Sequence, residues 1–158
     1  MCWQSYFARQ YDAAVAQARL AFDLDPDYMP ARWCLGISYQ AKGNSGEAIA
    51  ELQRAVTLSG GNNETRAWLA YTYAATGEKD KALQILASFK NLAKHAYVSP
   101  IYMAEIYTGL GDKDQAFDWW TKARHEGATF VLYLRSWPAN DTLRTDPRYR
   151  ELLRGVGL

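Results

Sequence analysis

Apolar and polar residues alternate along most of the chain with the spacing of one helix face. Apolar side chains recur every three to four positions, for example at Ala48, Leu52, Ala55 and Val56. This spacing predicts amphipathic α-helices that bury one side. Short breaks containing glycine separate the amphipathic stretches, so the pattern predicts short helices joined by tight turns.

The breaks and the residues around them return every 34 positions. Three columns carry the period: a tyrosine, a glycine four residues later, and an alanine five residues after the glycine. Their members are Tyr39, Tyr73 and Tyr107; Gly43, Gly77 and Gly111; and Ala48, Ala82 and Ala116, with Ala14 one period upstream. A fixed period of this length predicts stacked helix–turn–helix units in place of a closed globule.

Each column has a structural explanation. The glycines end the first helix of a pair, where a left-handed backbone costs other residues about 1–2 kcal/mol. The alanines, together with Gly36, Ala70 and Ala104 in the first helices, let paired helices cross closely. The tyrosines fill the space above each crossing. We therefore expect these residues to shape the fold and not to form a binding site.

The period divides the chain into four helix pairs and a tail. The pairs are predicted at residues 1–28, 29–62, 63–96 and 97–128, the first lacking roughly its first six residues. Residues 129–158 break the period with an apolar stretch at 130–134, then Trp137-Pro138, then a short helix beginning at Asp146-Pro147. Because the last unit of an array has no neighbour, this tail is expected to be a C-terminal helical cap. The predicted fold is all-α, a right-handed superhelical solenoid of antiparallel helix pairs.

Helix starts carry recognisable caps. Asn44 is followed three residues later by Glu47, which predicts a capping box, and Asp112 stands in the same relation to Gln115. Asp146 is the expected N-cap of the tail helix.

Composition argues against several classes of function. With 18 basic and 17 acidic residues, the net charge of +1 provides no basic footprint for nucleic acid. No apolar run approaches the roughly 18–20 residues that span a bilayer, and no signal-peptide pattern opens the chain. We therefore predict a cytoplasmic protein that binds neither membrane nor nucleic acid.

Cys2 and Cys34 are too few for a disulfide framework and are expected to be reduced and packed in helices.

Candidate catalytic chemistry is sparse. His95 and His125 lie in polar surroundings near predicted helix ends, as surface histidines do. The sequence contains no phosphate-binding glycine loop, activated nucleophile or metal-spaced His/Cys cluster. We predict a protein that is not an enzyme and uses no cofactor or metal. The tail arginines are expected to form a solvated face of the cap, and an anion or nucleic-acid site is the alternative; they are Arg135, Arg144, Arg148, Arg150 and Arg154.

Two family resemblances follow from these motifs. Leu35-Gly36, Tyr39, Gly43, Ala48 and Ala55, with Asp25-Pro26 as an ending, resemble the tetratricopeptide repeat over residues 1–128. The stretches 97–100, 111–117, 143–149 and 151–154 resemble a bacterial tetratricopeptide C-terminal module. That module is often attached to winged-helix transcription regulators, serine/threonine kinases or nucleotide cyclases. This chain departs from it at residues 140–142, where relatives have a Phe-Asp-Pro turn.

The repeat resemblance implies a concave groove lined by the first helices. In the repeat frame, the groove positions are mostly apolar and aromatic, and Glu105 is their one clear charge. They are Trp3, Tyr6, Phe7, Trp33, Ile37, Gln40, Ala67, Tyr71, Ala74, Ile101, Glu105 and Thr108. Apolar residues stand where some relatives clamp a carboxylate, so we expect a groove for apolar anchors of a peptide or helix.

Two alternatives stay open. The aromatic share of 14% fits packing as well as a binding surface, and Trp3, Tyr6 and Phe7 could be uncovered only because the first helix is short. Exposed aromatics at such an end would favour a homo-oligomer. The preferred function is a non-enzymatic protein–protein interaction scaffold. The alternative is a sensory or assembly module from a larger bacterial transcription regulator or signalling kinase.

Overall fold

The computed structural model describes residues 2–127 and 134–155, and these residues form α-helices, turns and one 3₁₀ helix without any strand. The 3₁₀ helix spans Pro138–Leu143. The α-helices are α1 (Cys2–Phe7), α2 (Tyr11–Leu24), α3 (Met29–Ala41), α4 (Ser45–Leu58), α5 (Asn63–Ala75), α6 (Lys79–Leu92), α7 (Pro100–Leu110), α8 (Lys113–His125) and α9 (Pro147–Arg154).

The helices pack in sequence order. Each first helix contacts its own second helix, and each second helix contacts the first helix of the following pair. The first helices also contact one another along the array, α1 with α3, α3 with α5 and α5 with α7. This is the packing of a helical repeat solenoid, which confirms the predicted fold class.

The recurring columns pack as expected. Ala14, Ala48, Ala82 and Ala116 are fully buried at the helix crossings. A Cβ on Gly36 would lie 2.6 Å from Cγ of Leu52, so only glycine fits this crossing. Gly43, Gly77 and Gly111 have φ angles of 82°, 94° and 75°, the left-handed region that ends the first helices.

Two of the three predicted caps form. The Asp112 carboxylate accepts the N–H of Gln115 at 3.1 Å, and that of Asp146 accepts the N–H of Arg148 at 3.0 Å. The prediction for Asn44 is wrong, since its side chain makes no capping hydrogen bond. A different asparagine, Asn62, caps α5 by accepting the N–H of Thr65 at 2.8 Å.

The prediction of reduced cysteines is also wrong. Cys2 on α1 and Cys34 on α3 form a disulfide, with their Cα atoms 6.3 Å apart. The two first helices pack side by side, which brings residues 32 positions apart in sequence within the range a disulfide requires. Spacing along the sequence gives no sign of this pairing, because it arises from the stacking of neighbouring repeats.

The end of the chain covers the last helix pair. Tyr149 and Leu152 of α9 are buried in one cluster with Phe117 and Trp120 of α8. The Arg148 guanidinium lies 4.4 Å from the centre of the Phe117 ring, so a cation–π contact joins the two helices. Of the predicted apolar stretch at 130–134, residues 130–133 lie outside the described residues.

Among the described helices, none combines the length and the apolar character that crossing a bilayer requires.

Candidate functional site

The twelve predicted groove residues divide into a buried set and a half-buried set. The buried set is Tyr6, Ile37, Ala67, Tyr71, Ala74, Ile101, Glu105 and Thr108. The half-buried set is Trp3, Phe7, Trp33 and Gln40, all from α1 and α3. Open surface at these positions is therefore confined to the N-terminal part of the array.

The tail occupies part of this groove. Trp137 and Ala139 lie in the same buried cluster as Tyr6, Ile37 and Tyr71, and the 3₁₀ helix contacts α7. Trp137 is 7% exposed, although it lies beyond the last repeat. The tail thus covers the outer face of α8 through α9 and also returns to the first helices of the repeats.

The Trp137 ring sits in an aromatic slot. It stacks on Trp68 of α5 with ring centres 5.1 Å apart and planes 18° from parallel. It also meets Phe7 of α1 edge to face, with ring centres 5.2 Å apart. Both arrangements are favourable for aromatic pairs and add about 0.5–1.5 kcal/mol each beyond the buried area. The slot is therefore complementary to the large flat side chain of Trp137.

An ion pair fixes the same segment to α1. The Arg9 guanidinium donates two hydrogen bonds to the Asp141 carboxylate, at 2.5 and 2.8 Å. Arg144 donates a third hydrogen bond to Asp141 at 2.5 Å and another to the carbonyl of Arg135. The hydrogen bonds from Arg9, and then those from Arg144, hold the pKa of Asp141 below its usual value.

Arg9 occupies a special backbone position. It stands 34 residues before Gly43, in the glycine column, and its φ of 62° makes it the one non-glycine residue with positive φ in the described part of the chain. This conformation costs a residue with a side chain about 1–2 kcal/mol relative to glycine. Arg9 tolerates that strain at the place where it binds the tail.

The sequence prediction missed Arg9, Trp68, Trp137 and Asp141. One signal was available, because Arg9 breaks an otherwise regular glycine column. Trp68 follows the predicted groove residue Ala67. The repeat pattern predicts that its position packs between helices, but in the structure Trp68 contacts Trp137. The pairing of Arg9 with Asp141 joins residues 132 positions apart and has no periodic signature.

Glu105 is buried and does not act as the exposed charge of the groove. Burial raises its pKa well above the usual value, and the nearby Glu64 carboxylate raises it further. Its Oε2 atom and the Tyr6 hydroxyl are buried without a hydrogen-bond partner among the described residues. The expectation that Glu105 supplies the groove's charge is therefore corrected: the low-dielectric surroundings favour its neutral form, and Arg9 provides the accessible charge.

A cavity of about 240 Å³ remains between the tail and the repeats. Tyr71 of α5 and Thr108 of α7 line it from the repeat side, and Thr142 and Leu143 line it from the tail. Burial raises the pKa of the Tyr71 hydroxyl to about 12, so this phenol stays neutral at physiological pH. The tail therefore covers this part of the groove without filling it.

The accessible part of the groove is an aromatic cluster. Trp3 meets Trp33 edge to face with ring centres 4.7 Å apart, and Phe7 lies 6.4 Å from Trp3. Gln40, the other half-buried groove residue of α3, lies one turn beyond Ile37. The side chains here present an apolar and aromatic surface.

The described residues include no group of three or more His, Cys, Asp or Glu side chains that could hold a metal ion. Both histidines are exposed: His95 follows the end of α6, and His125 is the last residue of α8.

Among the tail arginines, Arg144 and Arg148 form ion pairs with Asp141, Asp114 and Asp146, so they are not a purely solvated face.

Comparison with known proteins agrees with the repeat architecture. The family model of the tetratricopeptide repeat matches residues 39–95, which contain α4, α5 and α6 with the end of α3. No curated protein matches the chain. The match shows tetratricopeptide repeats at residues 39–95, and the paired helices and recurring columns outside that range support a tetratricopeptide repeat protein.

Proposed function

We propose that this protein is a non-enzymatic scaffold that binds a peptide or helix of a partner protein on the concave face of its repeats. Tetratricopeptide repeats are protein–protein interaction modules, and this chain carries them over residues 39–95. The observation that carries the proposal is the stacking of Trp137 on Trp68, 5.1 Å between ring centres. A groove that holds an aromatic residue of its own chain has the shape and chemistry to hold one from another.

The N-terminal half of the groove is the proposed entry point. Trp3, Phe7, Trp33 and Gln40 retain accessible surface, while the C-terminal half lies under the tail. Aromatic anchors each contribute about 1.5–3 kcal/mol when removed from water, so two of them suffice for a weak, specific contact. The remaining predicted groove residues would join the site when the tail moves aside.

The N-terminal aromatics are relevant to the predicted homo-oligomer. Tyr6 is fully buried, and Phe7 packs against Trp137, so the chain itself covers part of the surface that self-association would use. This coverage favours a monomer that binds a different protein. A light-scattering mass equal to that of one chain, unchanged with concentration, is the result that the scaffold proposal expects.

The disulfide bears on the cellular compartment in which the protein acts. Disulfides persist mainly in oxidising compartments, so the Cys2–Cys34 bond weighs against the predicted cytoplasmic location. The alternative function, a sensory or assembly module of a larger bacterial regulator or kinase, rests on the resemblance of stretches in the last repeat and the tail, within residues 97–154, to a bacterial module. An in-frame effector domain encoded upstream would support that alternative.

Site-specific cross-linking tests the groove directly. A photoreactive phenylalanine analogue replaces Gln40 in one variant and Leu83, an exposed residue of α6, in the control. In the native host, the same partner protein should be cross-linked from position 40 and not from position 83. Equal cross-linking from both positions, or none from position 40, would refute the groove as the binding surface.

A further inference from the structure

We propose that residues 137–141 are an internal ligand of the groove and that they reveal its partner: a peptide carrying an aromatic residue and, four positions later, a carboxylate. This inference rests on the proposed function, because it names the chemistry of the partner that the same groove binds. The tail and the partner would then compete for one site.

The aromatic position is defined by three rings from two distant helices, α1 and α5. Trp68 presents its face to Trp137, and Phe7 presents an edge contact to the same ring. Tyr71 meets Trp68 edge to face, with ring centres 5.3 Å apart, and supports the slot from α5. None of these contacts depends on the connection between Trp137 and the last repeat, so an aromatic residue of another chain can make them equally well.

The acidic position is defined by Arg9. Its two hydrogen bonds to Asp141 have the paired geometry that an arginine fork makes with a carboxylate. The paired residues are about half exposed, with 45% and 42% of their side-chain surface accessible, so an incoming carboxylate can reach the guanidinium from solvent. A neutral residue or a lysine at the acidic position would not make this contact.

The spacing between the two positions follows from the local fold. Pro138 begins a 3₁₀ helix directly after Trp137, and Asp141 lies in this helix, four residues after the tryptophan. Arg144 then holds the Asp141 carboxylate from within the tail. A partner segment that enters a helical turn after its aromatic residue would present its carboxylate in the same place.

The internal ligand leaves part of the site unused. The cavity of about 240 Å³ persists beside Thr142 and Leu143, and Oε2 of Glu105 has no partner among the described residues. Buried polar atoms without partners destabilise a structure. A partner with a larger residue in the cavity would bind more favourably than the tail does.

The test uses the full chain and a synthetic peptide of residues 134–144. An opened variant, Trp137→Ala with Asp141→Ala, removes the two groups that hold the tail in the groove. Calorimetry should show the peptide binding to the opened variant and at least about tenfold more weakly to wild type, because the attached tail competes at a high effective concentration. Asp141→Asn, which leaves Trp137 in its slot, should give an intermediate affinity and serves if the opened variant does not fold.

Charge reversal tests the role of Arg9. Against the opened variant carrying Arg9→Glu, the peptide should lose at least about tenfold in affinity, and a peptide with Asp141→Arg should recover it. Arg150→Glu, at an exposed position of α9, is the matched control and should leave both affinities unchanged.

Three outcomes would overturn the inference: no binding of the peptide to a folded opened variant, equal binding of a scrambled peptide, or a wild-type dimer in which the tail occupies the groove of a second copy. Cross-linking at position 40 separates this failure from failure of the proposed function. A partner still cross-linked there, but not displaced by the peptide, would leave the groove as the binding surface and remove only the tail-like chemistry.

Discussion

Arg9 in the first helix pair and Asp141 in the tail are 132 residues apart in sequence and joined by two hydrogen bonds. Arg9 takes the backbone position that glycine holds in the three following repeats, with a φ of 62°. The same residue therefore bears backbone strain and a specific long-range contact, a combination that is typical of functional positions.

Substitution of Arg9 separates these two properties. Arg9→Gly relieves the left-handed strain and removes the ion pair, whereas Arg9→Ala removes the ion pair and keeps the strain. We expect Arg9→Gly to be more stable than Arg9→Ala by about 1 kcal/mol in urea unfolding. In both variants, the amides of residues 137–143 should exchange with deuterium faster than in wild type. Unchanged exchange in this segment would show that the ion pair does not hold the tail.

The buried carboxyl of Glu105 predicts a pH dependence of stability. Its pKa is raised in the folded protein above the ordinary value of 4.5, so the folded state binds the proton more tightly than the unfolded state does. This contribution is fully present below pH 4.5 and is lost as the pH rises through the folded pKa. Glu105→Gln, which is neutral at every pH, should raise the melting temperature at pH 8 more than at pH 5.

Glu151→Gln is the control for that measurement, because Glu151 is exposed on α9. Its melting temperature should follow wild type at both pH values. A Glu105→Gln curve parallel to wild type from pH 5 to pH 8 would contradict the assigned burial effect.

The Cys2–Cys34 disulfide predicts a redox-dependent stability. The bond joins residues 32 positions apart, about one repeat length, and loops of this length give about 3–4 kcal/mol of stabilisation in the chain-entropy model. A double variant, Cys2→Ser with Cys34→Ser, should lose stability of this order in urea unfolding. A reducing agent should shift the wild-type curve toward that of the variant and leave the variant itself unmoved. Mass spectrometry of the non-reduced protein should show a mass two hydrogens lower than the reduced form.

Two glycines with different surroundings test the packing of the repeats. A Cβ on Gly109 of α7 would lie 2.7 Å from the carbonyl oxygen of Tyr71, so Gly109→Ala should force α5 and α7 apart and cost about 1–3 kcal/mol. A Cβ on Gly46 of α4 would meet no atom within 4 Å, so Gly46→Ala should stabilise by up to about 1 kcal/mol. Thermal unfolding of the two variants should therefore shift in opposite directions.

Local periodicity made the repeats predictable and the tail contacts unpredictable. Tyr39, Gly43 and Ala48 act within one helix pair or between neighbouring pairs, so their spacing reflects their structure directly. The stacking of Trp137 on Trp68 depends instead on the path of the whole array and of the tail that crosses it. The disulfide likewise depends on the stacking of α1 on α3, which a 34-residue period implies but which the identities of Cys2 and Cys34 do not reveal.

The groove prediction shows the same division. The repeat frame placed Tyr6, Ile37 and Tyr71 on one face, and the structure gathers them into one cluster. The frame could not show that this cluster includes Trp137, because a non-periodic segment has no counterpart in the other repeats to indicate its position. Whether a partner binds there stays a prediction.

The return of the tail to α1 has a consequence for how the molecule unfolds. An open array of repeats is stabilised by nearest neighbours, so its end units can fray while its middle stays intact. Here Phe7 and Arg9 in the first unit contact a segment that follows the last one, and the ends are tied together. The first repeat then cannot detach without releasing the tail, and an otherwise modular chain acquires the cooperative, all-or-none transition of a small closed domain.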